Sequence, residues 1–87
     1  MKIKDGFLLR QVAGQTVVLP VGGELDLNMM ITLNDTGAFL WERLLTDTST
    51  DALICALLEE YEVGEAAAAR AVSRFLQTLR GHGFLEE

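Results

Sequence analysis

Residues 27–35 read LNMMITLND, and the hydrophobic period changes inside that stretch. Leu27, Met29, Ile31 and Leu33 alternate with Asn28, Met30 and Thr32, the spacing of a strand with one face buried. Asn34 and Asp35 follow at once with side-chain oxygens of the kind that cap a helix. The stretch therefore divides the chain into strands before and helices after. Met30 stands out, because it is apolar on the face that a period of two gives to solvent.

Upstream, Phe7 to Val12 and Gln15 to Val21 flank Ala13-Gly14, where Gly14 can take the positive φ of a tight hairpin turn. Pro20 has no N–H for a ladder and belongs near a strand end. Gly22-Gly23 supply the next turn, and Leu25 to Leu33 form a third strand with one edge unpaired. Downstream, a first helix spans 35–45, with Phe39, Leu40, Trp41, Leu44 and Leu45 as its apolar side. TDTST breaks it, and Ser49 or Thr50 caps a second helix over 50–61. There Leu53, Ile54, Leu57, Leu58 and Tyr61 make a wide core-facing stripe. A third helix runs over 65–80 to Gly81, a residue suited to a left-handed cap. Its stripe is Ala68, Val72, Phe75, Leu76 and Leu79, and Phe84 and Leu85 are expected to fold back onto it. This order specifies an α+β fold: a small winged-helix-like domain, with a three-stranded antiparallel sheet followed by three helices. Residues 1–87 are expected to form a single domain.

Composition narrows the function. Of 87 residues 49% are hydrophobic, which excludes a disordered chain. A net charge of −6 disfavours nucleic acid as a partner. The single cysteine forms no internal disulfide and suits a reducing compartment. The N-terminal MKIKDGFLLRQ has no apolar run of signal-peptide length, and no stretch approaches a membrane span. The expectation is a cytoplasmic protein with no membrane partner.

Enzyme chemistry finds little to work with. Cys55 and His82 are the strongest metal or nucleophile candidates, and they sit on different elements. Cys55 reads as a packing residue inside the second helix and His82 as an exposed loop residue. Neither Ser49 nor Ser73 carries a nucleophile motif. VGGELDL lacks the spacing of a phosphate-cradling loop. No catalytic residue, metal site or cofactor is expected.

Charge is segregated instead. From Asp47 to Glu65 every charged residue is acidic, and from Arg70 to Arg80 every one is basic. Arg70 and Arg74 lie four apart and share a helix face. Ala67, Ala71 and Thr78, small residues that leave room, share it too.

Several segments together resemble the PqqD-like proteins, the peptide-binding domains called RiPP recognition elements. They are VVLPVG in the second strand, ITLNDTGAFLWERL from third strand into first helix, TSTDALICALLEEYEV, and the closing VSRFLQTLRGHGFLEE. The most specific part is the Leu33-Asn34-x-Thr36-Gly37-x-x-x-Trp41 run. Each of its residues also has a structural role: Asn34 as cap, Thr36 with a hydroxyl near the first turn, Gly37 for close backbone packing, and Trp41 as core anchor. LTDTST replaces the glycine usual after the first helix, a departure confined to the turn.

The resemblance implies a binding module, not a catalyst. Its ligand is the leader segment of a ribosomally made precursor peptide, presented to a maturation enzyme such as a radical SAM protein or another RiPP maturase. The peptide is expected as an added strand in the groove between third strand and third helix. On that expectation the peptide-binding residues are Asp26, Asn28, Met30 and Thr32 on the strand, and Ala67, Arg70, Ala71, Arg74 and Thr78 on the helix. Met30 becomes a soft, adaptable contact for the incoming strand. Two other classes fit the outline: a homodimerisation module pairing through the open strand edge, and a winged-helix DNA-binding protein reading with its third helix. Net charge and the acidic second helix weigh against the latter.

Overall fold

The computed structural model describes residues 1–20 and 31–86. The expected turn at Gly22-Gly23 and the first part of the third strand, with Asp26, Asn28 and Met30, lie outside the described residues.

Among the described residues five strands and three helices follow one another. A two-residue β1 (Lys2–Ile3) leads into β2 (Phe7–Val12) and β3 (Gln15–Pro20). Then come β4 (Ile31–Leu33), α1 (Asp35–Arg43), α2 (Thr50–Glu60), α3 (Glu65–Gly81) and a two-residue β5 (Leu85–Glu86). The main sheet is antiparallel in the order β2-β3-β4, so β4 is an edge among the described residues. The hairpin register pairs Val12 with Gln15 and leaves Ala13-Gly14 as a two-residue turn. Both turn residues have positive φ, 53° at Ala13 and 80° at Gly14. That is the backbone whose twist matches the flanking strands, and alanine adopts it at a cost that glycine does not bear.

A second, two-stranded sheet pairs β1 with β5, an element that sequence periodicity cannot reveal in two residues. The N-terminal strap is tied down on both sides. The Ile3 N–H donates to the Leu44 carbonyl and the Lys4 N–H to the Phe84 carbonyl, each at 2.8 Å. The Met1 ammonium donates to Asp47 Oδ1 at 2.6 Å, and that bond holds the exposed Asp47 carboxyl below the usual carboxylate range.

Helix ends follow from local chemistry. Asn34 Oδ1 accepts from the Gly37 N–H at 2.7 Å, and Ser49 Oγ from the Ala52 N–H at 3.2 Å. At the close of α3 the left-handed residue is Gly83, φ 75°, rather than the expected Gly81, which lies within the helix. The Gly83 N–H reaches the Arg80 carbonyl and the Phe84 N–H the Leu79 carbonyl, at 3.0 and 2.9 Å. This paired closure, with Phe84 and Leu79 both fully buried, is the Schellman ending. It turns the chain back so that Phe84 enters the core as expected.

Trp41, Phe84, Leu40, Leu44, Leu53, Leu57, Leu79, Val18 and Val72 are the largest fully buried side chains. Phe84 sits at the centre of the aromatic packing, 4.5 Å from Phe7 and 6.0 Å edge-on to Trp41 between ring centroids. His82 stacks on Phe84 at 5.4 Å and is half-buried, not a free loop residue. Three expected core residues are exposed. Leu58, at the margin of the α2 stripe, is 36% exposed. Leu45 lies beyond the end of α1, which stops at Arg43. Cys55 is exposed because it lies two positions from both Leu53 and Leu57, about 200° around the helix from each. Among the described residues no helix is long and apolar enough to cross a membrane.

Candidate functional site: a groove between an edge strand and two helices

The cap that starts α1 also shapes a groove. β4 runs into Asn34, the cap bends the chain, and α1 leaves with Gly37 turned toward α3. A Cβ built on Gly37 would lie 3.1 Å from Asn34 Oδ1 and 3.4 Å from Phe75 Cε1. A side chain here would press on the capping oxygen of Asn34, while its contact with α3 would stand at the near limit of ordinary packing.

The result is an open groove of about 420 Å³ walled by β4, the first turns of α1 and the middle of α3. β4 gives Ile31, Thr32 and Leu33, and α1 with its cap gives Asn34, Thr36, Gly37 and Leu40. α3 gives Ala71, Arg74, Phe75 and Thr78, the 71/74/75/78 spacing of a single helix face. The floor is apolar, with Leu33 and Leu40 buried and Ile31, Ala71 and Phe75 half-buried. The rim is polar. Thr32, Arg74 and Thr78 are exposed, and the Thr78 hydroxyl donates to the Arg74 carbonyl at 3.0 Å. Among the described residues Arg74 makes no ion pair. By contrast, Arg43 on α1 stands over the Phe39 ring at 4.9 Å, itself packed edge-on to Tyr61.

Of the residues expected at a peptide site, Thr32, Ala71, Arg74 and Thr78 are brought together here. Ala67 and Arg70 lie exposed on α3 outside the groove lining. Leu40 and Phe75 read as core from their helical spacing, yet each shows part of its surface to the groove. Asn34, Thr36 and Gly37 read as a helix start, and they also form the groove wall. Their motif spacing was visible; their double use was not, because it depends on how close α3 comes. No metal-binding group of three or more histidine, cysteine or carboxylate residues occurs among the described residues.

Residues 15–85 match the family described as "Coenzyme PQQ synthesis protein D (PqqD)". The chain belongs to the PqqD family. As the sequence implied, the fold of this PqqD-family domain is α+β, with a three-stranded antiparallel sheet and three helices. It is shared with solved structures of similar size. One is "TbiB1 in Complex with the TbiA(beta) Leader Peptide", 23% identical, covering 99% of this chain and 95% of that one, with a TM-score of 0.76. Another is "Lasso peptide synthetase B1 complexed with the leader peptide", 26% identical, covering 99% of this chain and 96% of that one, with a TM-score of 0.74. No curated protein sequence matches the chain.

Proposed function

We propose that this PqqD-family domain holds the leader segment of a ribosomally made precursor peptide as an extra strand on the free edge of β4. The rest of the peptide is thereby presented to a maturation enzyme in the cytoplasm. The observation that carries this reading is the edge strand β4 opening onto a groove with an apolar floor. An edge offers unpaired N–H and C=O groups to any extended chain, and a groove beside it takes alternate side chains. Two structural relatives were solved in complex with leader peptides, which supports the same class of ligand. Main-chain pairing supplies affinity and needs no reactive group, in keeping with a binding role and not a catalytic one.

The test uses β4 itself. In an antiparallel ladder neighbouring residues point their N–H and C=O groups to opposite sides. One of Ile31 and Thr32 therefore bonds to β3, and the other faces the free edge. Proline at the edge-facing position should leave folding nearly intact and weaken binding by about 1–3 kcal/mol, the cost of an unpaired partner group. Proline at the other position should mainly destabilise the sheet. Binding is measured by calorimetric titration with the precursor peptide encoded beside the gene, and folding by thermal melts. Undiminished binding by both folded variants would rule out strand addition at β4.

A further inference from the structure

A protein that presents a peptide to an enzyme must also hold the enzyme, so the reading proposed above calls for a second surface. The turn between α1 and α2 has the makings of one. Leu45 stands there 58% exposed, more than any other large hydrophobic side chain among the described residues. A single exposed leucine is ordinary on a protein surface; its surroundings set this one apart.

Two recesses meet at the turn. One, of about 460 Å³ against about 420 Å³ for the leader groove, runs between the end of α1 and α2. Ala52 and Ala56 leave it room, and the exposed Glu59 and Glu60 line it farther along α2. The other lies between Leu45, Lys2 and Glu86, and Thr46 and Asp47 line both. The face is therefore continuous, with an apolar knob at one end and carboxylates at the other.

Those carboxylates have no counter-charge within the protein. Asp47 is taken by the Met1 ammonium, and Arg43, the cation of the first recess, stands over the Phe39 ring. Glu59 and Glu60 make no ion pair among the described residues, nor do Asp51 and Glu62 on either side of them along the chain. A partner with lysines or arginines would relieve this excess, whereas a second copy of the chain would set the same carboxylates against one another.

We infer that this face docks the maturation enzyme, with Leu45 entering an apolar pocket of the enzyme and Glu59 and Glu60 meeting basic side chains beside it. The leader groove takes Gly37 from α1, and the docking face begins at Arg43, about 9 Å farther along the same helix. One short helix thus sets the peptide's position relative to the enzyme.

The test titrates the maturation enzyme encoded beside the gene with the leader-loaded protein, and leader binding and Tm are measured separately. Leu45→Ala should weaken enzyme binding roughly fivefold or more, as for a buried interface anchor. The E59K/E60K variant should weaken it severalfold, with a shallower salt dependence than wild type. Val12→Ala, an exposed apolar residue outside both recesses, should bind as wild type does. All three should keep wild-type leader affinity and Tm. Unchanged enzyme binding by both Leu45→Ala and E59K/E60K, or no binding by wild type, would overturn the docking face and leave the leader site standing. Sedimentation that shows wild type pairing with itself, and Leu45→Ala failing to, would give the face to a second copy and overturn it too. Wild type that binds no leader would instead refute the reading on which the docking face rests.

Discussion

Gly37→Ala tests the geometry on which the groove depends. An alanine in mid-helix ordinarily stabilises by about 1 kcal/mol relative to glycine. At this position the new methyl would stand 3.1 Å from Asn34 Oδ1, tighter than ordinary contact, and 3.4 Å from Phe75 Cε1, at its near limit. The Asn34 oxygen cannot simply retreat, because it accepts the Gly37 N–H at 2.7 Å. Relief therefore means loosening the cap, worth about 1 kcal/mol, or shifting α1 away from α3, an overpacking cost of about 1–3 kcal/mol. The opposing terms leave a net loss of about 1 kcal/mol, or a fall in Tm of about 4–8 °C for a domain of this size. A double-mutant cycle identifies the cause. In an Asn34→Ala background the closest obstacle is gone, and the same Gly37→Ala change should cost less or become stabilising. Thermal melts of the four proteins supply the whole test. A Gly37→Ala variant that melts above wild type, or one whose cost is unchanged without Asn34, would refute the close-approach argument.

Two further outcomes concern the scaffold. Ala13→Asn should raise Tm by a few degrees, since asparagine tolerates the positive φ of the hairpin better than alanine and position 13 is exposed; an unchanged melting temperature would mean that the turn carries no such strain. Phe84→Ala should cost about 3–5 kcal/mol, the range for emptying a buried aromatic site, and denaturant unfolding should show the loss, because Phe84 is fully buried against Phe7 and Trp41.

The elements that the sequence specified are those whose signals are local. Alternation marks β2 and β3, side-chain oxygens at Asn34 and Ser49 mark helix starts, and the 3.6-residue stripe of α3 marks its buried face. Each needs only neighbours a few positions away. The closing turn shows the limit: both Gly81 and Gly83 are conformationally able to cap α3, and the return of Phe84 to the core selects Gly83. β1 and β5 are too short for any period, and they exist because the ends of the chain meet over Leu44 and Phe84. Cys55 and Leu45 look apolar enough for the core, but helix phase and helix length put them in water. The groove is the clearest case. The residue types for a basic, small-residue helix face are legible at Ala71, Arg74 and Thr78. That Arg74 lines the groove and Arg70 does not depends on where β4 and the first turn of α1 lie against α3, across some forty residues of chain. Periodicity fixes which way a side chain faces from its own helix, and only tertiary packing fixes what stands opposite it.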